Sequence, residues 1–254
     1  MARPLEGKVA LVTGSTGQGM GRSTALTLAR EGAAVVLNCG TNRKTAEPQN
    51  RRLRGAIEGF GVRALLVPAD TTYGDVVREM FAQTKEELGP VDILVNNHGG
   101  LYELTRDLTK VDEAYYVKVL RAEIESVFHT IRAALPDMRR RRWGRIVNLG
   151  MERSEEFTGP PYDYTVGKIA RHGLTRILSE VEIPHGITIN VVAPGYIPYF
   201  TFEEALDAVR HGAVWKRRKH GTPQDIAEVV AWLCTEEAGF VNGAILPVHG
   251  APED

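Results

Sequence analysis

A parallel α/β sheet covered by helices on both faces is the fold predicted by this 254-residue chain. Three observations predict it. Seven short apolar runs lack the polar–apolar alternation of half-exposed strands, so both faces of each are expected to be buried. Stretches with apolar residues at helical spacing lie between those runs. No linker, repeat or low-complexity segment divides the sequence, so residues 1–254 read as a single domain near the upper end of ordinary domain size.

The first strand is expected at 8–13, where Val9-Ala10-Leu11-Val12 runs into glycines. Apolar spacing from Met20 to Leu28 predicts a helix that Gly32 stops, and 33–38 is the second strand. The polar insert 40–54 has no periodicity that assigns it, and a weak helical stretch closes at Ile57 and Phe60. The third strand is 62–67, and a helix over 76–88 leads through Gly89-Pro90 to the fourth, 91–95. Residues 111–138 read as one long helix, 145–149 as strand five, 164–181 as a helix, 187–192 as strand six and 244–248 as the last strand. The stretch 200–220 departs from the alternation. It reads either as a flap over the site or as a surface hairpin of helices, and its helical part, 202–209, is polar enough to lie on the surface. Ligands of such sheets bind beyond the carboxyl ends of the strands.

Composition narrows the function. Hydrophobic residues make up 43% and charged residues 25%, as in a soluble globular protein, and a formal net charge of −1 lacks the field of a general nucleic-acid binder. The basic run Arg139-Arg140-Arg141-Arg142, followed by Arg145, falls at a helix end, where cations suit the dipole, and precedes strand five, away from the site. Two cysteines, Cys39 and Cys234, give no disulfide framework and fit a reducing compartment. No signal-peptide core and no run of 18 apolar residues is readable, so a cytoplasmic protein without a membrane span is expected. The seven histidines form no metal-ligand motif, and no metal is expected.

Thr13-Gly14-Ser15-Thr16-Gly17-Gln18-Gly19-Met20-Gly21 joins the first strand to the first helix. Such a turn lets the backbone approach a pyrophosphate whose charge meets the helix N-terminus. Tyr164 and Lys168 stand four apart on a predicted helix and share a face. With these residues the chain resembles the short-chain dehydrogenases/reductases over nearly its whole length. The family's first turn reads TGxxxGxG; Gly19-Met20-Gly21 matches its final GxG with one additional residue before it.

The resemblance implies a Rossmann-type, seven-stranded parallel sheet and a nicotinamide cofactor held by Gly14, Ser15, Gly19, Met20 and Gly21. NAD-preferring members carry Asp where Cys39 stands. With Cys39, Asn42, Arg43 and Lys44 here and no carboxylate, NADP(H) is favoured, unless Arg43 and Lys44 only solvate a helix start. Asp70 matches the residue that meets adenine. Asn96-Asn97-His98-Gly99 resembles the family's Asn-Asn-Ala-Gly, with His98 clashing with the cofactor or giving it a polar contact. Pro194, Gly195 and Ile197 resemble the motif beside the nicotinamide carboxamide, with Tyr199 where a threonine is usual and Thr201 a substitute only if the loop shifts. Gly221 to Ala227 and Val241 to Gly250 resemble stretches that support the fold alone.

In the family the YxxxK lysine lowers the tyrosine pKa and holds the nicotinamide ribose, while the tyrosine passes the proton; here these are Lys168 and Tyr164. The serine position holds Met151, whose thioether donates no hydrogen bond, and the helix asparagine aligns near Glu123. Ser154 would replace the lost hydroxyl if its loop curls inward, and Tyr162 is a further hydroxyl nearby. Glu123 would anchor Lys168 directly and hold it charged. The expected activity is interconversion of a ketone and a secondary alcohol. The aromatic residues Tyr102, Phe157, Tyr162, Tyr196, Tyr199, Phe200, Phe202 and Trp215 suit a cyclic, aromatic or polyketide-like substrate, or are core packing. The alternative is non-redox chemistry or a cofactor-bound sensing or structural role. The resemblance also implies a homo-oligomer, a tetramer before a dimer.

Overall fold

The computed structural model describes residues 3–40, 43–100, 107–156, 159–212 and 220–249, with the side chains of 43–47 outside it. Seven strands form one parallel sheet in the order β3-β2-β1-β4-β5-β6-β7. They are β1 (Val9–Val12), β2 (Ala34–Cys39), β3 (Ala64–Pro68), β4 (Ile93–Asn96), β5 (Gly144–Leu149), β6 (Ile187–Pro194) and β7 (Ile245–Val248). The chain builds outward from β1 in one direction and then returns to β4 on its other side, so Val12 pairs with both Leu37 and Val95. That reversal leaves a crevice at the carboxyl ends of β1 and β4, where a Rossmann-type sheet holds its ligand.

Helices cover both faces. Val35 and Leu37 of β2 enter one core with α1 (Met20–Arg30) and α8 (Pro223–Leu233), while Val36 between them enters the other core with α3 (Gly74–Glu87). Each strand therefore needs apolar residues at consecutive positions, the pattern read from the sequence. The remaining helices are α2 (Arg43–Glu58), α4 (Glu113–Leu120), α5 (Ser126–Arg141), α6 (Tyr162–Glu182) and α7 (Phe202–His211).

Three expectations about elements are corrected. The insert 40–54 is mostly helical, because α2 starts at Arg43 and runs through it to Glu58. The single helix expected over 111–138 is two α-helices joined by a π-turn, Arg121–Glu125, whose residues Ala122 and Glu123 are buried. The helical part of 200–220 is anchored as well as surface-facing. Phe202, Ala205 and Val209 fall on one face of α7 at spacings of three and four, are buried, and join the core that α1 also lines. Thr201 starts α7 with a reciprocal capping box to Glu204. Residues 213–219 of the expected flap lie outside the described residues.

The arginine run ends α5 and turns to internal partners. Arg139 pairs with Glu182, Arg140 with Asp137, Arg141 with Asp92 at 3.0 Å, and Arg142 donates to the Pro184 carbonyl at 2.9 Å. If α7 belongs to the core, Phe202→Ala destabilises the protein by about 3–5 kcal/mol, the cost of truncating a buried Phe. Urea unfolding measures it; a loss below about 1 kcal/mol would return α7 to the surface reading.

Candidate active site

The glycine turn is fastened from two sides. Gly14 has φ +61 and donates its N–H to Asn38 Oδ1 at 3.1 Å. Ser15 is buried with its N–H (3.0 Å) and hydroxyl (3.3 Å) both on the Asn38 carbonyl. Asn38 in turn donates to the carbonyls of Ala69 at 3.0 Å and Val67 at 3.3 Å, tying β2 and β3 to the turn. From the other side Asn97 Nδ2 donates to the carbonyls of Thr13 (2.9 Å) and Gly14 (3.2 Å). A Cβ on Gly21 would lie 2.5 Å from that nitrogen, so no larger residue fits there. Sequence reasoning passed over Asn38, although a polar residue at the inner end of an apolar strand was the available signal.

These contacts hold the turn below the N-terminus of α1, and Phe200 N–H donates to the Gln18 carbonyl at 3.1 Å. Gly19 caps α1 without a side-chain hydrogen bond, no acidic residue lies in the first turn, and Gly17 has open space where a Cβ would be. Uncapped N–H groups in that setting suit an anion. A cavity of about 630 Å³ adjoins it, lined by Gly14, Asn38, Gly40, Asp70, Thr71, His98, Gly99 and Gly100 and closed on one side by Tyr115, Val119 and Ala122. Its size and position at the β2, β3 and β4 carboxyl ends fit the adenosine half of a dinucleotide.

Cys39 is buried at the end of β2, its carbonyl accepting from Ala69 N–H at 2.9 Å. Asn42 and the side chains of Arg43 and Lys44 lie outside the described residues. Asp70 lines the cavity, with Oδ1 accepting from Thr72 N–H at 3.0 Å and the Thr72 hydroxyl at 2.6 Å. His98 forms part of the cavity wall. Its N–H donates to Thr13 Oγ1 at 3.0 Å and its Nδ1 lies 3.2 Å from Thr71 Oγ1. Burial, with Arg171 nearby, lowers its pKa, so the imidazole is neutral at pH 7.

On the β5 side, the ammonium of Lys168 lies 4.9 Å from the centre of the Tyr164 ring. It donates to the Leu149 carbonyl at 3.1 Å and pairs with Glu123 Oε2 at 3.1 Å. Arg171, one turn further along α6, places Nε 2.8 Å from the same oxygen. All three charged side chains are buried. Gly100 N–H donates to Glu123 Oε1 at 2.8 Å. Room for Glu123 comes from two glycines: a Cβ at Gly99 would strike Oε1, and one at Gly167 would sit 2.5 Å from Glu123 Cβ. Glu123 thus lies within ion-pair distance of Lys168. Burial and then the Arg171 charge outweigh Glu123 and push Lys168 down to about 8. Arg171 belongs to no motif read from the sequence. Its spacing of three from Lys168 and its charge opposite to Glu123 were the unused signals.

Met151 is half-buried directly after β5. Ser154 does turn inward and is buried, but its hydroxyl is engaged by His172 Nδ1 at 3.3 Å and Glu155 Oε2 at 3.2 Å. At the β6 end, Pro194 closes the strand and Gly195 N–H donates to the Val248 carbonyl at 3.3 Å. Glu152 and His249 meet over Gly195, with His249 Nδ1 3.3 Å from Glu152 Oε1. Ile197 packs on the core, and Thr201 is engaged in capping α7. Among the aromatic residues, Tyr196 and Tyr199 are about three-quarters exposed, while Phe202 belongs to the core. Tyr102, Phe157 and Trp215 lie outside the described residues. Among the described residues, no group of three His, Cys, Asp or Glu side chains is placed to hold a metal, and no helix is long and apolar enough to cross a membrane.

The Glu123 cradle makes a sharp expectation. Gly167→Ala improves helix propensity by about 1 kcal/mol, yet it drives a methyl against the buried stem of Glu123. Overpacking of this kind costs about 1–3 kcal/mol, so the variant unfolds at lower urea than the wild type. A stabilised variant would show that the cradle is slack.

A doubly wound parallel sheet with a glycine turn and a Tyr–Lys pair on the helix after β5 defines a nucleotide-binding protein of Rossmann type. The profile of the family described as Enoyl-(Acyl carrier protein) reductase matches residues 14–250. An acetoacetyl-CoA reductase of Allochromatium vinosum is 33% identical over 247 residues, covering 96% of this chain and 97% of the relative. A 3-oxoacyl-acyl-carrier-protein reductase of Haemophilus influenzae is 32% identical over 250 residues, covering 97% and 98%. A solved structure provisionally assigned as a short-chain alcohol dehydrogenase of Sinorhizobium meliloti 1021 superposes with a TM-score of 0.83 at 29% identity, covering 97% of this chain and 96% of the other. The chain belongs to the short-chain dehydrogenase/reductase family of oxidoreductases.

Proposed function

We propose that the chain, acting as one domain, is an NADP(H)-dependent reductase that interconverts a ketone and a secondary alcohol. The observation that carries this reading is the Lys168 ammonium, held 4.9 Å from the Tyr164 ring, on the same sheet edge as the uncapped N-terminus of α1. Gly14, Ser15, Gly19, Met20 and Gly21 would hold the pyrophosphate, Asp70 the adenine, and Asn97, His98 and Gly99 the inner face of the dinucleotide. Pro194, Gly195 and Ile197 would hold the carboxamide, and Lys168 the nicotinamide ribose. Bound cofactor supplies the hydride. Tyr164 gives its phenolic proton to the carbonyl oxygen as that hydride reaches the carbon, and in the reverse direction takes it back.

The absence of a carboxylate at Cys39, with Asn42 and Arg43 following, supports NADP(H) over NAD(H). Relatives named for reducing acetoacetyl-CoA and 3-oxoacyl chains support a carbonyl with a second carbonyl two carbons away. The exposed Tyr196 and Tyr199 support a cyclic, aromatic or polyketide-like form of it. Exposed apolar residues along α5 and α6, among them Phe128, Val166, Ile177 and Val181, support a homo-oligomer, a tetramer before a dimer. Two cysteines, both buried, suit the cytoplasm.

Titration of cofactor fluorescence checks the cofactor: NADPH binds more tightly than NADH, and Cys39→Asp shifts the preference toward NADH. Equal affinities for both would remove the assignment.

Turnover checks the chemistry. With Met151 at the serine position, no donor assists as charge builds on the substrate oxygen, so activity on simple ketones is weak. Met151→Ser raises it by about 10- to 100-fold, less than the full worth of a placed donor, and Tyr164→Phe abolishes it while NADPH still binds. The rate of reduction falls as pH rises through about 8, because Lys168 then loses its proton. The assay is NADPH oxidation over a panel of β-keto, cyclic and aromatic ketones. Tight NADPH binding with no turnover in wild type or Met151→Ser would favour the sensing or non-redox reading, which the thioether at Met151 otherwise supports.

A further inference from the structure

Lys168 and Arg171 face the same two oxygens, one a carbonyl acceptor and one a carboxylate charge. Lys168 Nζ has Glu123 Oε2 at 3.1 Å and the Leu149 carbonyl at 3.1 Å. Arg171 donates from Nη1 to the same Leu149 carbonyl at 3.2 Å and brings its charge within 2.8 Å of the same Oε2 as an ion pair, its single Nε–H being used by the Glu123 carbonyl. The two cations differ in freedom. Arg171 also donates to the carbonyls of Glu123 (2.8 Å), Asn96 (3.3 Å), His98 (2.5 Å) and Ala122 (3.2 Å). Those carbonyls come from the π-turn and from the end of β4 and the loop after it. A guanidinium with five donors in a rigid fork fits such a ring of acceptors, whereas an ammonium does not. The charge of Arg171 is therefore fixed beside Lys168, in a site closed to solvent.

We infer that Arg171 is a positioning residue for proton transfer: it holds Glu123 and the end of β5 in place and, by sharing the Leu149 carbonyl and the Glu123 charge with Lys168, loosens their hold on the lysine proton. The inference rests on reading Tyr164 and Lys168 as the proton-handling pair. The charged or titratable groups facing Lys168 are Glu123 from the π-turn, Arg171 and Tyr164 from α6, and neutral His98 from the loop after β4. Of these, Arg171 opposes the lysine charge and Glu123 favours it, and together with burial they bring Lys168 to about 8. An arginine whose role was only to brace the fold would affect stability without setting that midpoint.

The test is an NMR titration of the cofactor-free full chain carrying lysine labelled with carbon-13 at Cε, the Lys168 signal being identified by its loss in Lys168→Met. Wild-type Lys168 is expected to titrate near pH 8, against about 10.4 for an ordinary lysine. Arg171→Met raises its midpoint by about one pH unit or more, a tenfold gain in proton affinity, as expected when a like charge within contact distance is removed. Arg171→Gln, which keeps donors for the surrounding carbonyls, moves it the same way and serves if the methionine variant does not fold. Glu123→Gln moves it down, because Arg171 is then unopposed. A wild-type midpoint near 10.4, or an unchanged midpoint in a folded Arg171 variant, overturns the inference. Undiminished turnover in Tyr164→Phe would instead overturn the assignment of the proton-handling pair, and the cofactor-free titration stands apart from that result.

Discussion

The β4–β5 half of the sheet edge is organised around one buried carboxylate. Glu123 has no exposure, and a charge so placed is tolerated only when ion pairs and hydrogen bonds replace its water; removing one partner of such a pair costs about 3–5 kcal/mol. Its surroundings follow from that demand. The π-turn swings residue 123 inward from a helix that would otherwise carry it past the site. Gly99 and Gly167 leave the space its side chain fills. Gly100 N–H supplies a hydrogen bond, and Lys168 and Arg171 supply the compensating charge. Arg171 then reaches the carbonyls of Asn96, His98 and Leu149, so the ends of β4 and β5 are held through the same charge.

Beneath this cluster a neutral network continues the bracing. Thr130 on α5 donates to Asn96 Oδ1 at 2.7 Å, and Asn96 donates to Asn148 Oδ1 at 2.8 Å. Asn148 donates to the Thr175 hydroxyl at 2.9 Å, which donates to the Arg171 carbonyl at 2.8 Å. Buried side chains from β4, β5, α5 and α6 thereby satisfy one another. Low local dielectric makes each such bond stronger and each unmade bond costly, so a network of this kind specifies one arrangement.

The strands, their order of appearance and the glycine turn were legible in the sequence because each depends on a local requirement. Consecutive apolar residues such as Val35, Val36 and Leu37 have no other use than a strand buried on both faces, and Gly14 and Gly21 answer backbone demands within a few residues of each other. The π-turn was not legible, since one extra residue in a helical turn leaves no separate period over Arg121–Glu125. In α7 three buried residues among ten are enough to fix a helix to α1, but polar neighbours such as Glu203 and Glu204 hide so thin a stripe. Segment 40–54 hides its helix for the same reason: among the described side chains of α2 most are exposed, while Asn50, Leu53 and Ile57 turn inward.

The two halves of the site differ in what fixes them, and this accounts for where sequence reasoning stopped. Around β1, β2 and β3 the shape is set by backbone conformation, with Asn38 and Asn97 fastening carbonyls and N–H groups that exist whatever the neighbouring residue types. The fastening points, Thr13 to Ser15 and Gly21, lie on either side of the turn's additional residue. Around β4, β5 and α6 the shape is set by side-chain charge shared among positions far apart in sequence: 99, 123, 167, 168 and 171. Read one at a time, Glu123 is a missing asparagine and Arg171 an unremarked neighbour of Lys168. Only their common oxygen, Glu123 Oε2, makes them one structure, and a contact between residues 48 positions apart cannot be read from the spacing of either.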